Sequence, residues 1–167
     1  MRPEDAFAHR GVARRPLSPR SLRLWSVRHA HALSAIYRTF ESVLRGLDPV
    51  FRRIGYARLE RPVASIERTV KQALFDCRMC GQCVLSSTGL SCPMNCPKGL
   101  RNGPCGGVRA NGNCEVHPDM PCVWAQAYAG AERMAAVASL GQLQGPVDHR
   151  RAGKSSWLQV AQTHAAP

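Results

Sequence analysis

The chain has 167 residues, a formal net charge of +12 and eight cysteines. This length is too short for an eight-stranded α/β barrel, which needs about 250 residues. No stretch approaches the roughly 20 apolar residues of a membrane-spanning helix, so we expect no membrane span. Arginine also interrupts the N-terminal region repeatedly, which is unlike an export signal, and we expect a cytoplasmic protein.

The basic excess has three interpretations: solvated helix faces, an acidic protein partner, or nucleic acid. The arginines are scattered among apolar positions, aromatic residues make up only 6% of the chain, and no nucleic-acid-binding motif is recognisable. Solvated faces are therefore the first expectation and an acidic partner the second. Nucleic acid is an unlikely partner.

The N-terminal part is predicted to hold a disordered basic tail and then helices. Residues 1–20 contain three prolines and five arginines, a composition that cannot build a core. Residues 21–76 are predicted to be helical, because apolar residues recur at three- and four-residue spacing up to about Arg45. Asp48-Pro49 is typical of a helix start and Gly55 of a helix end.

A further helix is predicted to start at Arg61-Pro62 and to lead into the first cysteine. Its predicted apolar face consists of Val63, Ile66, Val70, Leu74 and Phe75. Because the cysteine-rich segment that follows offers little apolar material, we expect the helices to bury part of their faces on a partner.

All the cysteines fall within residues 77–140, which are predicted to form a metal-binding or cluster-binding domain with a closing helix. They are Cys77, Cys80, Cys83, Cys92, Cys96, Cys105, Cys114 and Cys122. Such clustering is typical of disulfides, zinc sites or iron–sulfur clusters. The absence of an export signal argues against disulfides.

The opening C-x2-C-x2-C spacing favours iron–sulfur chemistry, because it begins the ferredoxin-type run of cluster ligands. Eight thiolates suffice for two 4Fe–4S clusters, and two four-thiolate zinc sites remain the alternative. The fourth cysteine follows much later than in ferredoxins, so spacing alone does not show which cysteines share a site.

The segment between the later cysteines is rich in glycine, proline and asparagine, which predicts successive turns. Lys98, Arg101 and Arg109 lie within it. We expect Arg101 in particular to compensate the negative charge of a metal–thiolate centre. His117 is a potential ligand, but with a full set of cysteines it is predicted to be a polar surface residue.

After the last cysteine an alanine-rich helix is predicted from Val123 to about Leu140. Its Trp124 and Tyr128 are expected to wedge the helix onto the cysteine-rich loops. Residues 141–167 are predicted to be a linker and C-terminal tail, in which Trp157 is a candidate docking residue. The predicted fold class is mainly α, with N-terminal helices and one C-terminal helix around an irregular, metal-stapled loop segment and no substantial sheet.

The order of these motifs resembles one known family. The motifs are Phe75-Asp76-Cys77-x-x-Cys80-Gly81-x-Cys83, Cys92-Pro93-Met94-x-Cys96-Pro97-Lys98, Arg101-Asn102-Gly103-Pro104-Cys105-Gly106-Gly107, Cys114-Glu115-Val116-x-Pro118 and Cys122-Val123-Trp124, with Ser155-Ser156-Trp157-Leu158 near the end. They resemble the cysteine-rich C-terminal domain of methylenetetrahydrofolate reductases, which also occurs as a separate small subunit in acetogens.

The resemblance implies an accessory role. A subunit of this kind would carry two 4Fe–4S clusters, or two zinc ions, on the eight cysteines and would pass electrons to a flavin-dependent reductase. The folate-binding barrel would be a separate chain, with an electron-donor protein as a further partner. In the zinc alternative, the chain would be a structural module docked on the reductase or a related methyl-transfer enzyme. No catalytic residue is predicted, and we expect the chain not to be catalytic alone.

Overall fold

Residues 20–163 are described by a computed structural model, and the statements below concern this range. The chain is mainly helical there, as predicted, and residues 20–163 contain no β-strand. Val108 with Cys114, and Asn113 with Pro121, form only isolated antiparallel bridges. The α-helices of this range are α1 (Arg20–Arg28), α2 (Ala30–Gly46), α3 (Asp48–Ile54), α4 (Tyr56–Phe75), α5 (Val123–Arg133) and α6 (Ser156–Thr163).

Within the same range, none of these helices is both long enough and apolar enough to cross a bilayer. The predicted disordered tail lies outside the described residues, except for Arg20, which begins α1.

The first predicted helix is two helices that meet at His29. The imidazole of His29 stacks on Trp25 with 4.4 Å between ring centroids, and its Nδ1 lies 2.9 Å from the Trp25 carbonyl oxygen. The break allows α1 to pack on α4 and α5 while α2 packs on α5 and α6. The start at Asp48 and the stop at Gly55, where φ is +96°, are confirmed.

The predicted start of the next helix at Arg61-Pro62 is wrong, because α4 begins at Tyr56 and includes Pro62. The turn before the proline is anchored by α3: the Tyr56 hydroxyl donates to Asp48, and the Tyr56 ring packs edge-on against Phe51. These contacts offset the single backbone hydrogen bond that proline removes. At the other end Asp76 caps α4 in a left-handed conformation, with φ of 53°.

The apolar face predicted for α4 is buried only in part within the chain. Phe75 is buried, whereas Ile66 and Val70 are 61% and 41% exposed. The residues that α4 buries are Ala64, Glu67, Lys71 and Phe75. The helix therefore turns an ion pair toward the interior and leaves aliphatic side chains at the surface.

The core lies where α1, α2 and α4 meet the cysteine-rich loops. One apolar cluster joins α2 and α4 to the loops, and it consists of Ala30, Phe75, Leu85, Leu90 and Cys92. The Ser26 hydroxyl donates to the Leu74 carbonyl at 2.8 Å, which ties α1 to α4. One cysteine thus lies within the main core, so the cysteine-rich segment and the helices are packed as one unit.

The closing helix α5 ends at Arg133, earlier than predicted, because Ala135 adopts a left-handed conformation with φ of 52°. A 3-10 turn, Val137–Gly141, follows. Trp124 is buried and its indole lies directly against Gly103, where a side chain would overlap it. The predicted wedge is therefore confirmed for Trp124, but Tyr128 is 51% exposed and does not take part.

The region predicted as linker and tail contains the further helix α6. This helix packs on α2, and the Trp157 ring meets Phe40 edge-on with 4.9 Å between centroids. Leu158 and Ala161 are almost fully buried. Trp157 therefore docks within its own chain.

Gly130→Ala tests the packing of α5 on the cysteine-rich loops. A Cβ atom at Gly130 would overlap the carbonyl oxygen of Gly89. We expect a loss of about 1–2 kcal/mol of unfolding free energy, because overpacking outweighs the better helix propensity of alanine. Thermal unfolding followed by circular dichroism measures it. Gly46→Ala is the control, since a Cβ there meets nothing within 4 Å; equal stability of the two variants would contradict the packing.

Candidate metal centre

The first four cysteines line one cavity at the end of α4. Cys77 follows the cap of α4 directly, and Cys92 precedes the 3-10 turn Pro93–Asn95. Cys80 and Cys83 lie on the loop between them, and all four thiols border the same space. Cys77 and Cys92 are buried, whereas Cys83 is exposed. The structure therefore places the first four cysteines around one cavity.

Backbone amides point at three of the eight sulfur atoms. The Met79 amide lies 3.3 Å from Cys77 Sγ, and the Gly107 amide lies 3.4 Å from Cys105 Sγ. The Met94 amide likewise donates to Cys92. In each case the donor is two residues after the cysteine, so the same local turn recurs. Such hydrogen bonds favour the thiolate form, which is the form that binds metal.

Polar contacts hold the loop around the cavity in place. Arg78 donates to Asp76 at 3.1 Å and to Asn95 at 3.1 Å, and Asn95 donates to the Phe75 carbonyl at 3.0 Å. These bonds join the segment that carries Cys77 to the turn that follows Cys92.

Residues 148–153, predicted as linker, cover the first cysteine loop. The Gly153 amide donates to the Met79 carbonyl at 2.8 Å, and the Gln82 side chain donates to the Asp148 carbonyl at 3.2 Å. Gly81 has φ of +72°, and a Cβ atom there would overlap the Arg151 carbonyl oxygen. Glycine is required at this position for both reasons.

Three cations line the cavity: Lys71, Arg101 and Lys154. Arg101, predicted to compensate a metal centre, lines the cavity and donates to the Gln82 carbonyl at 3.2 Å. Its Nε and Nη1 atoms are buried and have no hydrogen-bond partner among the described residues. Lys71 lines the same cavity. Buried donors without acceptors fit an anionic group in this place.

The sequence analysis missed Lys71 and its partner Glu67. The Lys71 ammonium lies 2.7 Å from the Glu67 carboxylate and 2.7 Å from the Ser156 hydroxyl. Ser155 and Ser156 also donate their hydroxyls to Glu67, as do the backbone amides of Ser156 and Trp157. Glu67 thereby caps α6. The available signal was a Glu–Lys pair at i,i+4 spacing inside an amphipathic helix.

The pKa values of this pair reflect their burial and their contacts. Burial opposes the charge on Glu67, but Lys71 and the serine hydroxyls outweigh it and hold the pKa of the carboxyl below its usual value. Burial also opposes the charge on Lys71, but Cys83 and Glu67 outweigh it and raise the pKa of the ammonium. Both groups are therefore charged at neutral pH.

The later four cysteines are held by the turn-rich segment. Cys96 packs against the apolar cluster that contains Cys122, Trp124 and Ala127. The Lys98 ammonium, which is paired with Glu115, also interacts electrostatically with Cys105 and Cys114. His117 lies in the turn between Cys114 and Cys122. Its Nε2 is buried and without a hydrogen-bond partner in the described range, so it is more enclosed than predicted.

The residues around the first cavity have the chemistry of an anionic metal–thiolate site. Four cysteines border it, backbone amides donate to two of their thiols, and the cations Lys71, Arg101 and Lys154 line it together with Glu67. Within residues 20–163, however, no three cysteine, histidine or acidic side chains are gathered as a ready metal-ion site. The same chemistry suits iron–sulfur and zinc, because both centres are negatively charged when held by four thiolates.

Metal uptake is expected to release protons even at pH 9. Burial raises the pKa of Cys77 to about 11 and raises the pKa of Cys92 further. Both thiols therefore remain protonated at pH values above about 8.5, the ordinary pKa of a thiol. A metal that binds them must displace their protons. Zinc titration of the metal-free chain with an indicator dye measures the release. If proton release on zinc binding disappears by pH 9, the thiols of Cys77 and Cys92 are not buried and neutral as described.

Comparison with known families decides the affiliation. A sequence model described as "Methylene-tetrahydrofolate reductase C terminal" matches residues 56–150. The chain belongs to this methylenetetrahydrofolate reductase C-terminal family. The match begins at the first residue of α4 and includes every cysteine, so the resemblance drawn from the motifs is confirmed. No curated protein and no solved structure was found to match the chain.

Proposed function

We propose that this chain is an iron–sulfur accessory subunit that relays electrons to a separately encoded, flavin-dependent methylenetetrahydrofolate reductase in the cytoplasm. The observation that carries the proposal is the first cavity, where Cys77, Cys80, Cys83 and Cys92 face buried donors of Arg101 and the ammonium of Lys71. When bound, iron–sulfur clusters supply one-electron transfer.

The residues of the chain have separate roles in this proposal. The first four cysteines hold one cluster, and Cys96, Cys105, Cys114 and Cys122 hold the second. Lys71 and Arg101 place positive charge beside the first group, which offsets repulsion among its thiolates. Burial of Cys77 and Cys92 excludes water from that side. No residue of the chain is assigned a catalytic role.

The folate-binding barrel subunit is the proposed partner, and an electron-donor protein is a second one. Exposed aliphatic side chains support docking of a large partner on α2 and α4: Ile36 is 65% exposed, Val43 54% and Ile66 61%. Exposed apolar side chains of this kind are available for an interaction site. These side chains belong to the faces that were predicted to be shared with a partner.

Two experiments with a reductase subunit of this family test the proposal. The chain is reduced with dithionite under anaerobic conditions, desalted and mixed with the subunit, and we expect the flavin absorbance to bleach. Absence of bleaching together with zinc in the chain would leave a docking module without electron transfer.

Co-purification tests the docking surface itself. Val43→Glu is expected to reduce recovery of the complex, because it places a carboxylate on the apolar face of α2. Leu143→Glu is the matched control, since Leu143 is 88% exposed and lies outside the helices. Equal recovery of both variants would contradict docking through α2.

A further inference from the structure

A groove adjoins the first cysteine group, and of the exposed side chains proposed for docking it includes Ile36. It has a volume of about 620 Å³ and lies between α2, α4, α6 and residues 82–86. This volume is within the range of small-molecule sites, roughly 300–1,000 Å³. Lys71, Cys83 and Arg101 border both the groove and the cysteine cavity, so an occupant of the groove would lie beside the exposed thiol.

The walls of the groove suit a flat, apolar ring system. Tyr37, Phe40 and Trp157 form an aromatic side, in which Phe40 and Trp157 meet edge-on at 4.9 Å. Ile36 and Val70 contribute an aliphatic side from α2 and α4. Aromatic walls bind planar rings through offset stacking and edge contacts.

The polar groups of the groove suit a negative charge. Its cations are Lys71, Arg101 and Arg151, and its acid is Glu41, which is paired with Arg45 outside the groove. Lys71 is paired with Glu67, whereas Arg151 donates to Gln159 at 3.2 Å and lies 3.9 Å from Asp148. The indole N–H of Trp157 is buried without a partner among the described residues, and so are two donors of Arg101, a residue that the groove shares with the cysteine cavity. An anion would supply the acceptors that these donors lack.

We propose that the groove binds a planar aromatic anion, with its rings against Trp157 and Phe40 and its acidic group toward Arg101 and Arg151. The groove residues that are tested below, Ile36 and Arg151, do not border the cysteine cavity. Failure of this proposal is therefore distinguishable from failure of the electron-relay proposal, which is decided by the metal and by reduction of the flavin.

Calorimetric titration of the purified full chain with 8-anilino-1-naphthalenesulfonate tests the site. We expect one molecule bound per chain with a Kd of about 20 μM, from the usual affinity per atom of ligands of this size. N-phenyl-1-naphthylamine has the same rings without the sulfonate, and we expect it to bind about tenfold more weakly, since it forgoes a charge-assisted hydrogen bond.

Two pairs of variants locate the binding. Ile36→Glu and Arg151→Gln are each expected to weaken binding of the sulfonate about tenfold. The matched controls are Val43→Glu and Arg150→Gln. Val43 is on the same helix as Ile36 but does not line the groove, and Arg150 is next to Arg151 with a side chain that is 90% exposed. Both control variants should bind the sulfonate as the parent chain does. All four side chains are largely exposed, so we expect each variant to fold.

Three results would overturn the proposal. Equal affinity for the neutral compound would show that the site does not select a negative charge. Unchanged affinity in both Ile36→Glu and Arg151→Gln would show that the compound does not bind in the groove. Absence of binding, combined with loss of reductase co-purification in Ile36→Glu, would assign the groove to the partner protein.

Discussion

Lys71→Met is expected to lower the free energy of unfolding by about 3–5 kcal/mol, the usual effect of removing one member of a buried ion pair. Lys71 and Glu67 are both almost fully buried, with side chains 5% and 2% exposed. Methionine fills the space of the lysine stem but leaves the Glu67 carboxylate without its counterion. Since Glu67 also caps α6, we expect that helix to loosen from α2 and α4. Urea unfolding followed by circular dichroism measures the change.

The double variant Glu67→Gln with Lys71→Met separates the unpaired charge from lost packing. Glutamine keeps an acceptor for the α6 amides and carries no charge, so part of the stability should return. Lys98→Met is the control at an exposed pair, where Lys98 meets Glu115, and we expect no measurable change. A double variant less stable than Lys71→Met alone would show that the ion pair is not what holds α6.

Cys92→Ala is expected to remove the metal of the first cysteine group and to leave the second group loaded. Cys92 lies in the main core cluster and borders the same cavity as Cys77, Cys80 and Cys83. Alanine is tolerated in such a core but cannot bind metal, so we expect about half of the metal of the parent chain. Elemental analysis of the purified variant measures it.

Cys122→Ala is the matched variant for the second group, and it should lose the other half. The double variant should hold none. Met94→Leu is the control, because Met94 packs beside Cys92 without a proposed ligand role. Complete loss of metal in either single variant, with the fold retained, would contradict two separate groups.

Local signals were sufficient to predict the helical class and several helix ends. α3 begins at Asp48-Pro49 and ends at Gly55, whose φ of +96° suits a residue without a Cβ atom. Trp124 was predicted to be buried because a large aromatic side chain seldom remains exposed beside turn-rich loops. These properties depend on residues close together in sequence.

The buried face of α4 could not be predicted from periodicity. A pattern of apolar residues selected Ile66 and Val70, whereas the interior side of α4 presents Glu67 and Lys71. The partners that make this burial favourable, Ser155 and Ser156, lie at the far end of the chain. A buried charge is recognisable only when its counterion and hydrogen-bond donors are placed together.

The grouping of the cysteines also depended on long-range contacts. Cys92 borders the same cavity as the first three cysteines because the turn at Pro93–Asn95 is bonded back to the end of α4 through Asn95. Arg101 reaches the same cavity from the turn-rich segment. Neither contact has a signature in the spacing of the motifs, although the charge of Arg101 suggested its role.

Iron, acid-labile sulfide and zinc per chain, measured on protein purified without oxygen, test the central claim most directly. The two-cluster account predicts about eight irons and eight sulfides per chain, with visible absorbance that bleaches on reduction. About two zinc ions in a colourless protein without sulfide would contradict it, and the cysteines would then support docking alone.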